Sequence, residues 1–264
     1  MKKNQMRKYI TAFALGTAVW MAGAMCTWAD QGTQAAGAPG TWVLDESGRF
    51  CHTDENGQLQ HSAWIEEGGR WKYVDEEGHM ILSATKTIDG IQYTFGADGF
   101  WLEGKERQAV ELELGRIEGK TYRNRWADIR MTFPEAAVMK LGDGSKGTYP
   151  LAGGEHVEED DPELSYRITL DFLQPETDMD TYLGQFAAEQ GKYEYKMDFA
   201  GPISIGGYEY KACRTSLAFS DGTAHHSDKY VRMLDGVMLE LHFDYFDELR
   251  AQADSVFASI SPAE

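Results

Sequence analysis

Short runs in which aromatic and polar residues alternate occupy the chain between residues 40 and 103, and each run stops at an acidic or small tetrapeptide ending in glycine. Phe50 and His52 precede Asp54-Glu55-Asn56-Gly57; Trp71, Tyr73 and Val74 precede Asp75-Glu76-Glu77-Gly78; Tyr93 and Phe95 precede Gly96-Ala97-Asp98-Gly99. The three glycines stand 21 residues apart, which marks an internal repeat. Period-two alternation predicts strands, and the Asp/Asn-Gly elements supply the positive φ of tight turns, so each unit reads as a β-hairpin. A second aromatic comes earlier in the period: Trp64 lies fourteen residues before Gly78 and Trp42 fifteen before Gly57, while Thr85 takes that place in the third unit. A hairpin this short cannot bury a core of its own, so neighbouring units are expected to stack.

Beyond residue 119 the repeat is gone. Ile129, Met131 and Phe133 alternate with polar residues up to Pro134, a strand ended by a residue that cannot donate to a ladder. Residues 142 to 163 are rich in Gly, Asp and Glu and read as an exposed loop. Ile168, Leu170 and Phe172 form a half-buried strand. A helix follows, with Thr177 and Asp180 as a capping-box-like start, Met179, Tyr182, Leu183 and Phe186 on one face and Gly191 as the stop. Strands are predicted over 193–199, 208–220, 227–234 and 237–245, the last three separated by Asp221-Gly222 and Asp235-Gly236 turns. Phe246, Leu249, Ala253, Val256 and Ile260 then mark a terminal helix before Pro262. The fold expected is α+β: an N-terminal β-hairpin solenoid of about three repeats, then an antiparallel sheet with two helices packed on one face.

The pattern divides the chain into a signal peptide (1–29), a flexible leader (30–39), the hairpin repeats (40–103), a junction (104–119) and the α+β domain (120–264). The first segment has a basic start to Lys8, an apolar run from Tyr9 to about Met25, and small residues at Thr27 and Ala29 suited to cleavage before Asp30. A membrane anchor is the alternative for that run. Met25 directly before Cys26 argues against lipidation. Hydrophobic residues make up 42% of the 264, enough for ordered domains, and the formal charge of −18 disfavours nucleic acid, whose binding needs clustered Lys and Arg. Past the signal only Cys51 and Cys213 remain, in different predicted domains. They can bridge in an oxidising compartment or stay as separate thiols.

Two stretches carry a resemblance to a known family. Trp71-Lys72-Tyr73-Val74-Asp75-Glu76-Glu77-Gly78-His79-Met80 and the run from Ile88 to Gly99 resemble the cell-wall-binding repeats of choline-binding and related glucan-binding surface proteins, over residues 40 to 103. The resemblance implies a β-hairpin solenoid whose aromatic side chains form shallow cages for the choline of teichoic acids or for sugar faces. A quaternary ammonium offers no hydrogen-bond donor, so aromatic faces are what can hold it. The positions matching the family's cages are Trp64, Trp71 and Tyr93, with Tyr73, Phe95 and Trp101 as neighbours. This chain departs from the pattern with Ala63-Trp64 and Ala84-Thr85 in place of Gly-Trp, and with Phe50-Cys51-His52 in place of a three-aromatic run. The alternative role of these aromatics is the hydrophobic filling of a small solenoid. The order of a Phe-Pro strand end, central helix, meander and C-terminal helix in residues 120–264 resembles the PsbP/Mog1-type sandwich, without a diagnostic motif.

Catalytic chemistry has little to stand on. His225, His226 and Asp228 are the densest set of potential metal ligands, but at a strand start and without i, i+4 spacing they read as exposed polar residues, and no metal or cofactor is expected. His242 shares the Glu240 and Asp244 face of the last strand and is expected in solvent. Glu155, Glu158, Glu159, Asp160 and Asp161 lack the spacing of a calcium loop. No glycine-rich phosphate loop follows a strand, and Cys213 has no nucleophile-turn glycine around it. The expected function is therefore a secreted surface protein attached to the wall non-covalently, through choline or glycan, with a non-enzymatic C-terminal binding or displayed domain. A wall-modifying hydrolase with an unrecognised catalytic domain is the alternative.

Overall fold

The computed structural model describes residues 40–139, 141 and 166–264; the expected export segment, the leader and the acidic stretch 142–163 lie outside the described residues. The chain separates into two compact units, the first built from described residues up to Leu82 plus Gly99–Trp101, the second from Ser83–Asp98 and from Leu102 onward.

The first unit holds two antiparallel hairpins, β1 (Trp42–Leu44) with β2 (Phe50–His52) and β3 (Ala63–Glu67) with β4 (Arg70–Val74). Acidic turns fix their ends. The carboxylate of Asp54 accepts from the backbone N–H of Asn56 and Gln58 at 2.8 Å, and that of Asp75 from Glu77 at 3.1 Å and His79 at 2.8 Å. Asp45 makes the same turn with Ser47 and Arg49, an Asp-x-x-Gly element outside the 21-residue register. Gly78 sits at φ +88°, and a Cβ there would meet the Gln60 carbonyl and the His61 ring at 3.1 Å, so both conformation and space require glycine. The residue two beyond the Gly78 and Gly99 turns extends the preceding hairpin: Met80 N–H donates to Phe50 O at 2.8 Å and Trp101 N–H to Trp71 O at 2.7 Å.

The second unit is dominated by one eight-stranded sheet. Its strands are β5 (Ala84–Ile88), β6 (Ile91–Phe95), β7 (Arg107–Gln108), β11 (Tyr166–Leu173), β12 (Lys196–Ile205), β13 (Tyr208–Ala218), β14 (Ala224–Leu234) and β15 (Val237–Phe246). A smaller sheet, β8 (Arg116–Glu118), β9 (Thr121–Asn124) and β10 (Ile129–Thr132), lies apart from that ladder. β14 is the branch point. It pairs antiparallel with β15 on one side; on the other it pairs with β13 up to Val231, and then in parallel with β5 at Met233 and Leu234.

Strand alternation puts apolar residues on both faces of β13, β14 and β15. Ala212, Tyr230, Leu239, Leu241 and Phe243 point into the main core, which also receives Tyr122, Ile129 and Met131 of the small sheet and Ala253 and Val256 of α2 (Arg250–Ala258). Cys213, Val231 and Met238 point the other way, onto Met179 and Leu183 of α1 (Met179–Gly191). Asp178, not Thr177, caps α1, its Oδ1 accepting from Asp180 and Thr181 N–H at 2.9 Å each.

This corrects the expected fold class. The protein is mostly β, with 48% of described residues in strand and 12% in helix, and it is not a three-repeat solenoid followed by a sheet with both helices on one face. The two helices pack on opposite faces, because both faces of the central strands are apolar. The third hairpin, β5–β6, is a member of the large sheet instead of a further solenoid unit. Where the second hairpin pairs Trp64 with Tyr73, the third pairs Thr85 with Thr94, whose hydroxyls lie 3.1 Å apart and buried. The Asp235 carboxylate of the β14–β15 turn accepts from Thr87 N–H at 2.5 Å and from its hydroxyl at 2.8 Å, holding the hairpin to β14.

Candidate functional site

The first unit presents its aromatics on two faces, set by the register of β3 against β4. Trp64 and Tyr73 are cross-strand partners, their rings 5.2 Å apart and edge-on, and Trp101 meets Trp64 at 6.0 Å, again edge-on. Both geometries suit the aromatic quadrupole. Tyr73 is buried beneath, Trp64 and Trp101 are half-buried, and Trp71, on the same face two register pairs further along, is 39% exposed. The opposite face carries Lys72. Its ammonium lies 4.4 Å from the Phe100 ring centre and 5.0 Å from that of Trp42, and pairs with Glu67 at 2.6 Å; Arg70 stacks on Phe100 at 3.8 Å.

The structure thus brings together Trp64, Tyr73 and Trp101, with Trp71 beside them. Tyr93 and Phe95 belong to the second unit, on β6, where Phe95 is buried at 2% exposure and Tyr93 is half-buried. Trp42, Lys72 and Phe100 form an aromatic and cationic group that sequence reasoning passed over. The available signal was the alternation within β4: Lys72, between two aromatics, must face away from both.

Polar clusters of the second unit lie on the two faces of β14 and β15. His225, His226 and Asp228 do not converge. His226 bonds Asp247 at 2.8 Å and is bridged by Arg250, whereas Asp228, buried at 2% exposure, accepts from Arg214 at 3.3 Å and lies near the hydroxyls of Tyr230 and Tyr245. Burial pushes the Asp228 carboxyl above the usual range, and Arg214 offsets part of that. On the α1 face His225 accepts or donates to Tyr195 at 2.7 Å. His242, expected in solvent, is half-buried with Nε2 at 2.9 Å from Ser227 Oγ; desolvation first, then Lys229, pulls it down to about 4. Ser227 and His242 have nucleophile–base spacing, with Ser227 buried at 3% exposure. Beside it Lys229 reaches both Glu240 oxygens at 2.8–2.9 Å, and Tyr182 donates to the same carboxylate at 2.5 Å.

No protein-family profile matches the chain, and no curated protein sequence matches it either. Among solved structures it is similar to the cyanobacterial PsbP protein of Synechocystis sp. PCC 6803, at 11% identity and a TM-score of 0.39 over 54% of this chain and 91% of that one. It is also similar to LpqN, involved in cell envelope biogenesis of Mycobacterium tuberculosis, at 19% identity and 0.33 over 51% of this chain and 83% of that one. A third likeness is to the multimodular pneumococcal cell wall endolysin from phage Cp-1 complexed with choline, at 15% identity and 0.23 over 52% of this chain and 37% of that one. The structural neighbours thus include a cell-envelope protein and a cell-wall endolysin. At these scores they assign neither a fold nor an activity to this chain. No helix of the described residues is long and apolar enough to cross a membrane.

Proposed function

We propose that the protein is exported, with residues 1–29 removed, and is held non-covalently at the bacterial wall by the aromatic face of its first unit, which takes choline of teichoic acid or a glycan. The observation that carries this reading is the Trp64–Tyr73–Trp101 group, three rings meeting edge to face with two of them reaching solvent and Trp71 exposed alongside. Mutually tilted rings offer π-faces from more than one direction, as a quaternary ammonium requires, and each face is also a platform for a pyranose. Tyr93 and Phe95 stay in the proposal only as supports of the second unit, which we read as a non-enzymatic binding or displayed domain. Nucleic acid is not a proposed partner.

Sedimentation with purified wall sacculi tests this. The mature chain from Asp30 is expected to pellet, free choline or competing glycan to release it, and Trp64→Ala with Trp101→Ala to lower the pelleted fraction at least tenfold. Equal pelleting of wild type and the double variant would remove the aromatic face as anchor. Loss of sacculus turbidity would instead indicate a hydrolase.

A further inference from the structure

Asp45, Cys51 and His79 come from three separate segments of the first unit, and their ligand atoms all lie within 4.8 Å of one another. His79 Nε2 is 3.1 Å from Asp45 Oδ2, and Cys51 and His79 face each other across an antiparallel bridge. Both are nearly closed to solvent, at 1% and 5% exposure. Thiolate, imidazole and carboxylate are the donor set that borderline-soft cations take, and bonds of roughly 2.0–2.3 Å in a tetrahedron give ligand–ligand edges of about 3.3–3.6 Å. The His79–Asp45 edge is already close to that size, and the sulfur has to close by at most about 1.5 Å.

A second observation comes from the neighbouring hairpin. By strand register and the hydrogen bonds that follow each turn, Asp45, Cys51 and His79 occupy the places of Glu67, Lys72 and Phe100. In the second hairpin that place is filled by a cation, the Lys72 ammonium, held 2.6 Å from the Glu67 carboxylate. In the first hairpin the lysine is replaced by a cysteine and the aromatic by a histidine. The carboxylate is kept, its Oδ2 turned to His79, and its other oxygen is fixed by the Ser47 and Arg49 N–H groups. The Arg49 side chain, more than half exposed, lies 3.6 Å from Asp45 Oδ2 and donates from Nε to Ser47 Oγ at 2.9 Å. Asp75 stands 3.8 Å from His79 Nδ1, on the side where a carboxylate orients a metal-bound imidazole.

We infer that Asp45, Cys51 and His79 form a binding site for a single divalent transition-metal ion of the zinc type, with a fourth position left for water or an outside ligand. Binding breaks the Cys51 S–H bond, forms a metal–sulfur bond and releases the proton to solvent. The inference is independent of what the aromatic face binds.

The test uses the reduced, chelator-treated full chain titrated with Co²⁺. One equivalent is expected to produce a near-ultraviolet thiolate-to-cobalt band together with tetrahedral ligand-field bands, all displaced by Zn²⁺. Cys51→Ser should abolish the thiolate band, and Asp45→Ala or His79→Ala should weaken binding at least tenfold. Cys213→Ser should leave every band in place. As a readout that needs no variant, Zn²⁺ should raise the melting temperature of wild type, since it binds only the folded chain. Absence of a thiolate band in folded wild type, or its survival in Cys51→Ser with loss in Cys213→Ser, overturns the assignment.

Discussion

Lys72 is an ammonium held where an aromatic protein surface would hold an outside cation. Two rings and a carboxylate surround it, and its side chain is only 12% exposed. Contacts of this kind contribute about 0.5–2 kcal/mol when partly desolvated. Lys72→Met keeps the volume and removes the charge, leaving the Trp42 and Phe100 faces and the Glu67 carboxylate without their cation. Free choline is then expected to quench or shift tryptophan fluorescence in Lys72→Met at concentrations at least fivefold below those needed for wild type; identical titrations of the two would show that the rings are closed to ligands. Period-two reading places Trp71 and Tyr73 correctly on one side of β4, and for the same reason it places Lys72 on the other. What it lacks is the partner: Phe100 comes from beyond the next turn, and no local pattern marks a contact across that separation.

The third hairpin shows how an element can keep its local form and change its neighbours. Its strands and turns follow from alternation and glycine placement, as do β10, α1, β13, β14, β15 and the terminal helix, which is why these were legible. Its membership was not, because the residues that hold it, Met233 to Asp235, lie far along the chain. The one local sign is Thr85 in the place of an expected aromatic: Thr85 and Thr94 satisfy each other, a choice suited to a buried sheet position. The acceptor that secures the hairpin is Asp235, at φ +49° in the turn, and hydrogen bonds to a charged group contribute about 1.5–3 kcal/mol. Asp235→Asn preserves the turn conformation and weakens the acceptor; Asp235→Ala removes it. Hydrogen exchange should show protection lost across β5 and β6 in Asp235→Ala, partly retained in Asp235→Asn, and unchanged in β11 and β15. Uniform loss over the whole sheet would mean that Asp235 acts through the turn instead. The expectation of helices on one face failed for a related reason: apolar residues on a strand's second face, such as Val231 and Met238, are visible in the sequence, but Glu240, His242 and Asp244 beside them make that face read as wet.

At the scale of the molecule the same wet-looking face governs the response to acid. His242 is packed against the edge of Phe186 from α1 and is surrounded by Lys229, Arg167 and His225, with Asp244 as the only opposing charge among its main influences. Desolvation, followed by Lys229, holds it at about 4 against 6.5 for a free histidine, a difference worth roughly 3 kcal/mol. The unfolded chain takes up this proton below pH 6.5 and the folded chain does not until about pH 4, so unfolding is favoured progressively across that window. His225 is lowered as well, chiefly by burial, and acts in the same direction. Asp228 opposes them, since its carboxyl, raised chiefly by burial, binds a proton more readily in the folded state at pH values above the ordinary carboxylate range. Asp45 and Asp247, both lowered by their hydrogen bonds, lose their contribution at still lower pH, below the ordinary carboxylate value. Urea unfolding at pH 7 and pH 4.5 should therefore show wild type losing about 2–3 kcal/mol more than His242→Gln, which has no proton to take up. Ser227→Ala should keep the pH dependence while lowering stability at both values, because it removes a hydrogen bond and not the titrating group. Equal losses in wild type and His242→Gln would move the acid sensitivity from this face to the carboxylates.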